Sequence, residues 1–231
     1  MRPQAVIFDF DDTLVYTNAV YDQLRQVLFA EMDRLGLGFR EEWADYLNQA
    51  DLDNIAAAGR LSCECFPLAM RATGEHFAAR SQVRLADGAG DRFEEIGWRI
   101  YQIKPRLMEG AAELLDRLQG RFPLHLLTVA DSHTQQPRIE ASGLMPYFDK
   151  ISIVQEKTPD LFRFILAEQG WQAERVWMVG NSMRSDVNPA LAAGLNVAFL
   201  TVSAWAYDDA QPVGHFHTID RLADFMELIE L

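Results

Sequence analysis

Five short apolar runs rich in β-branched and aromatic residues constrain this chain more than any other feature: 5–10 (AVIFDF), 124–129 (LHLLTV), 151–154 (ISIV), 176–179 (VWMV) and 197–202 (VAFLTV). Runs of this length suit strands. The last four are spaced by segments with helical periodicity. Residues 108–118 place Ala111, Leu114, Leu115 and Leu118 on one face. Residues 158–168 open on Thr158 as an N-cap with Pro159 at the first helical position. Residues 186–193 run into Gly194, a helix stop. The C-terminal TIDRLADFMELIEL (218–231) carries the pattern of a final amphipathic helix. Strands alternating with helices predict an α/β fold, a parallel sheet wrapped by helices.

The interval between the first two runs is different. From 16 to 104 only helical patterns occur, with Val20, Leu24, Val27, Leu28, Met32 and Leu35 at spacings of three and four, and Phe93, Ile96 and Tyr101 on a later helix. That is too long for a simple crossover. It predicts an inserted helical domain, with IKPRLMEG (103–110) as the return to the core. The expected division is a core of 1–15 with 105–231 and a helical cap of 16–104.

Composition narrows the function classes. The 231 residues carry a net charge of −13, which argues against nucleic acid, whose phosphates need basic patches. A small phosphorylated ligand needs only a local site and is compatible with it. The apolar runs are too short to span a bilayer, and MRPQAVIFDFDD lacks a signal peptide's apolar stretch, so no membrane partner and a cytoplasmic location are expected. Cys63 and Cys65 are two residues apart, too close for an unstrained disulfide and without zinc partners nearby, and read as reduced thiols. Among the five histidines no metal-ligand grouping is visible, and His125, inside an apolar run, reads as packed.

In a parallel α/β sheet, ligands bind outside the carboxyl ends of the strands. The first run is followed there by Asp9, Asp11, Asp12 and Thr13, the second ends at Thr128, the third leads to Glu156 and Lys157, and the fourth to Gly180, Asn181, Ser182 and Asp186. Singly, each has a plainer explanation: aspartate favours turns, Gly-Asn is an ordinary turn, and a lysine is usually solvated. Converging on one crevice, they suit phosphoryl transfer. Close carboxylates need a cation beside them. Mg²⁺ takes oxygen ligands and binds substrate phosphate. Lys157 would face phosphate oxygens and Thr128 would donate a hydrogen bond to one. A carboxylate can attack phosphorus and split one hard displacement into two.

Four segments in order, DFDDT, Thr128 after LHLL, EKTPDLF and VGNSMRSDVNPALAAGL, resemble the four motifs of the haloacid dehalogenase superfamily. The resemblance covers about 4–15 and 105–231, and the insertion resembles that family's C1-type cap. It implies a Rossmann-like core and a Mg²⁺-dependent phosphatase acting on a small phosphorylated metabolite. Asp9 is implied as nucleophile and metal ligand. Asp11 is implied as general acid then base, its backbone carbonyl also binding Mg²⁺. Phe10, Thr13, Thr128, Val129 and Lys157 are implied around the phosphate, and Asn181 and Asp186 in the metal site. Three positions depart from the pattern. Asp12 stands where glycine is frequent and is expected to turn outward or support the loop. Val129-Ala130 replaces Asn-Gly after Thr128. Asn181 replaces an aspartate and brings an amide oxygen without charge. A phosphomutase shares this core. A 2-haloacid dehalogenase is disfavoured by Asp11, since a halide leaves without a proton. A catalytically degenerate binding module is the remaining alternative.

Overall fold

The five runs become strands of one parallel sheet because each has apolar side chains for both faces. The computed structural model describes residues 2–202, 208 and 210–229. Its main sheet contains β1 (Ala5–Phe8), β4 (Leu124–Val129), β5 (Lys150–Val154), β6 (Val176–Gly180), β7 (Asn196–Leu200) and β8 (His217–Ile219). Val6 and Phe8 of β1 enter one core with Leu126, Val179 and Leu200, whereas Ala5 and Ile7 enter another with Leu127, Met178 and Val197. This is the period-two alternation of a strand covered on both sides.

Helices supply the covers. On the first face lie α5 (Ala111–Leu118), α6 (Ser132–Ser142) and α9 (Phe225–Ile229); on the second lie α7 (Pro159–Gln169) and α8 (Asn188–Ala192). Thr158 caps α7 as the sequence predicts, its side chain accepting from Leu161 N at 3.1 Å.

The strand order is β5-β4-β1-β6-β7-β8, every pair parallel. The chain therefore builds outward from β1 in one direction through β4 and β5, then returns to its other side at β6. A crevice opens at such a reversal, outside the carboxyl ends of the strands. Asp9 and Gly180-Asn181 stand at the ends of the two strands that flank it.

The chain separates into two compact units, Met1–Thr17 with Lys104–Leu231, and Asn18–Ile103. The second holds α1 (Asn18–Arg34), α2 (Trp43–Ala58), α3 (Cys65–Arg80) and α4 (Ala89–Trp98) around its own core of Leu24, Leu28, Met32, Trp43, Phe77 and Phe93. Gly97 lets α4 approach α3 closely, since a Cβ there would lie 2.5 Å from Pro67 Cα. Cys63 and Cys65 are buried and form no disulfide. Among the described residues no helix is long and apolar enough to cross a membrane.

Two elements differ from expectation. Residues 218–231 do not form one helix. Thr218 and Ile219 belong to β8, which pairs with β7, and a 3-10 turn (Leu222–Asp224) precedes the short α9; Glu230 and Leu231 lie outside the described residues. The free edge of β7 offers backbone partners that local helical periodicity does not anticipate. The second is a small antiparallel ribbon of β2 (Val15–Tyr16) and β3 (Arg106–Leu107), too short to leave a pattern.

Candidate active site

The loop after β1 folds back on one carbonyl. Phe10 O accepts from the backbone N–H groups of Thr13, Leu14 and Val15 at 3.3, 2.9 and 3.2 Å. Asp12 sits in this turn at φ 55°, the left-handed region where glycine is most at ease and aspartate is tolerated. It does not turn outward. It is buried, and its Oδ1 accepts from Thr17 N at 2.9 Å. Phe10 contributes no polar side chain; its ring is core.

Asp9, Lys157 and Asp186 form one cluster. Lys157 Nζ donates to Asp9 Oδ1 and to Asp186 Oδ1, each at 2.6 Å, and all three side chains are nearly or fully buried. Asp186 lies in a π-helical turn, Met183–Val187, capped by Ser182, and its Oδ2 accepts from Ser182 N at 2.9 Å. Turns of this type frequent functional sites. Gly180 makes room for it: a Cβ there would fall 2.3 Å from Asp186 Oδ2. Thr13 Oγ1 lies 3.2 Å from Asp9 Oδ2 and 3.1 Å from Asn181 Oδ1, while Asn181 Nδ2 is buried with no partner among the described residues.

One ammonium serves two carboxylates, and the balance shows in the titration of Asp9 and Lys157. Burial pushes the Asp9 carboxyl up to about 7; Lys157 opposes this, and Asp186 and Asp11 add to it. Burial works against the charge on Lys157, but Asp186 and Asp9 outweigh it and hold the amine above its usual value.

Asp11 belongs to a second cluster. Its Oδ1 accepts from Thr17 Oγ1 at 2.6 Å and pairs with Arg138 Nη2 at 2.7 Å; its Oδ2 accepts from Gln135 Nε2 at 2.6 Å. Gln135 Nε2 also donates to Thr128 Oγ1 at 2.9 Å. Burial raises Asp11, but the Arg138 guanidinium and the hydrogen bonds from Thr17 and Gln135 win, holding the carboxyl below its usual range. Val129, partly exposed, ends β4 beside Thr128.

The structure thus brings Asp9, Thr13, Lys157, Asn181 and Asp186 together, and ties Asp11 to Thr128 through Gln135. Sequence reasoning did not connect Thr17 to Asp11 and missed Gln135 and Arg138. A signal existed for the last two: α6 reads SHTQQPRIEAS, polar for a helix packed on a sheet, so some polar groups had to be buried in pairs. Among the described residues no three His, Cys, Asp or Glu side chains are grouped to hold a metal by themselves.

A doubly wound parallel sheet with buried carboxylates and a lysine at the reversal point defines an α/β protein with a charged cluster at its ligand-binding crevice. The chain belongs to the haloacid dehalogenase-like hydrolase family, whose model matches residues 3–194. It is 24% identical over 217 residues to the HAD-hydrolase YfnB of Bacillus subtilis, covering 91% of this chain and 87% of that one. It is 27% identical over 207 residues to the N-acylneuraminate-9-phosphatase of Homo sapiens, covering 84% of this chain and 80% of that protein. A haloacid dehalogenase-like hydrolase from Xanthomonas campestris superposes with a TM-score of 0.79 at 25% identity, over 99% of this chain and 91% of that one. The magnesium-bound crystal structure of YfnB superposes with a TM-score of 0.72 at 22% identity, covering 100% of both chains.

Proposed function

We propose that this hydrolase is a Mg²⁺-dependent phosphatase that cleaves a small phosphorylated metabolite through an aspartyl-phosphate. The observation that carries this reading is the buried Lys157 ammonium held 2.6 Å from both Asp9 and Asp186. A phosphatase among the relatives adds to it.

Asp9 attacks phosphorus, the bond to the leaving oxygen breaks, and that oxygen takes a proton from the protonated fraction of Asp11, a strong acid because its partners favour the carboxylate. Water then attacks the aspartyl-phosphate, gives a proton to Asp11, and inorganic phosphate departs with Asp9 restored. Lys157 and the Thr128 hydroxyl hold phosphate oxygens throughout. Asp11 separates this reading from dehalogenation, whose halide leaves unprotonated. The helical unit Asn18–Ile103 acts as the cap in this reading.

The donor set suits Mg²⁺. Thr13 has one proton for two acceptors, while Asn181 Nδ2 is orphaned. Exchanging the amide's nitrogen and oxygen lets Nδ2 donate to Thr13 and Thr13 donate to Asp9, and turns a buried carbonyl oxygen toward the place a cation would take. Asp9, Asp186, the Asn181 oxygen and the Asp11 backbone carbonyl would hold the ion, an oxygen-only set compatible with retained waters. When bound, it supplies positive charge against the phosphoryl oxygens and the Asp9 carboxylate.

The test is phosphate release from p-nitrophenyl phosphate and from a panel of phosphorylated metabolites, with and without Mg²⁺. Release that needs Mg²⁺ and disappears in Asp9→Ala is expected. Undiminished release by Asp9→Ala overturns the reading.

A further inference from the structure

Asp11 has no idle oxygen. Arg138 and Thr17 reach Oδ1, and Gln135 reaches Oδ2. The three partners are themselves joined. Arg138 Nη1 donates to Gln135 Oε1 at 2.7 Å, and Arg138 Nη2 donates to Thr17 Oγ1 at 3.0 Å. Gln135 and Arg138 stand three residues apart on α6 and so share a face. They are 1% and 7% exposed, which makes the arrangement a buried one with little freedom.

The chemistry of the amide fixes its direction. With Oε1 taken by Arg138, Nε2 must face Asp11 and Thr128. Thr128 Oγ1 therefore accepts from Gln135, and its own single proton is left to point elsewhere. One guanidinium thereby orients two groups at once: directly the carboxylate of Asp11, and through Gln135 the hydroxyl of Thr128.

We propose that Arg138 and Gln135 are positioning residues for the acid and the phosphate clamp, setting the Asp11 carboxylate and the Thr128 hydroxyl as one unit. This rests on the phosphatase reading, in which Asp11 protonates the leaving group. A side chain that acts through Asp11 matters most where the leaving group needs its proton. Its loss is felt less where the leaving group departs readily as an anion.

The experiment compares kcat/KM on p-nitrophenyl phosphate and on phenyl phosphate, whose leaving group is the more basic, with Mg²⁺ present. Arg138→Met is expected to lose at least about 10-fold more on phenyl phosphate than on p-nitrophenyl phosphate. Arg138→Lys should recover part of that difference. The double variant with Asp11→Asn should lose less than the product of the two single losses, the remainder being what Arg138 exerts through Gln135 and Thr128. If Arg138→Met does not fold, Gln135→Met provides the same comparison with the guanidinium in place, and the same selective loss is expected. Equal losses on both substrates, or losses that multiply in the double variant, overturn the positioning role and leave the phosphatase reading standing. A wild type that releases phosphate from neither substrate overturns both.

Discussion

Asp9 and Asp11 are separated by one residue, yet their carboxylates live in opposite electrostatic settings. Asp9 shares one lysine with Asp186, so two negative charges compete for a single cation, and burial drives Asp9 up to about 7. Asp11 has Arg138 together with two neutral donors, and is held below its usual value. The difference is one of stoichiometry. A buried carboxylate is stable as an anion when its partners match its charge, and is unsettled when they do not. The unsettled half is where the proposed cation would balance the charge. The settled half is built to hold a carboxylate in place.

The largest break in this comparison comes from Asp9→Asn. Turnover should fall on the order of 10⁴-fold or more if Asp9 is the nucleophile. The same substitution should stabilise the metal-free protein at high pH. The folded-state pKa of Asp9 is raised above its ordinary 3.8, so its favourable contribution is complete below 3.8 and is lost as pH rises through about 7. Melting temperatures of wild type and Asp9→Asn should therefore coincide near pH 4 and diverge by pH 8, with the variant higher. A constant offset across that range would contradict the assignment.

Lys157→Met removes the shared cation and leaves two buried carboxylates facing each other. A loss of about 3–5 kcal/mol in urea unfolding at pH 7.5 is expected, as for a broken buried ion pair. A loss below about 1 kcal/mol, the range of surface pairs, would show that solvent screens the cluster.

Gly180→Ala tests how tightly Asp186 is placed. The new Cβ lies 2.3 Å from Asp186 Oδ2, so the carboxylate must move. A fall in kcat of about 10²-fold is the scale expected for a displacement of this kind in a catalytic cluster. Unaltered kcat would mean that Asp186 has no positional role.

The smallest effect is a control away from both halves. Burial and Lys150 push His125 down to about 4, and its ring nitrogen lies 2.9 Å from Ser152 Oγ. Its neutral form is favoured by folding, so that contribution is present above its ordinary 6.5 and is lost as pH falls through about 4. His125→Gln should unfold at lower pH than wild type in an acid titration, with kcat unchanged at pH 7.5. A variant as acid-sensitive as wild type would show that His125 does not titrate in the unfolding window.

The strands were legible because a sheet covered on both faces leaves short, almost wholly apolar runs; β4 spans the same residues in sequence and structure. The β8 strand was not. It has a single buried residue, Ile219, and is held by the edge of β7 rather than by its own pattern. The residues of the Asp9 cluster were legible because each follows a strand, where main-chain direction alone delivers a side chain to the crevice. Gln135 and Arg138 were not, because a helix offers many polar residues and only packing selects which are buried. Asp12 lay between: the turn was readable, but its inward hydrogen bond to Thr17 N was not.

By itself, then, the sequence determined the alternation of strand and helix, the carboxyl-end placement of Asp9, Asp11, Thr128, Lys157 and Asp186, and the likeness to the haloacid dehalogenase superfamily. These follow from local periodicity and chain direction. The tertiary structure decided which cation serves which carboxylate. Lys157 stands 148 residues from Asp9 along the chain, and only the packing of β1 beside β6, with α6 laid across the same face as Phe10, settles that Asp9 must share while Asp11 need not.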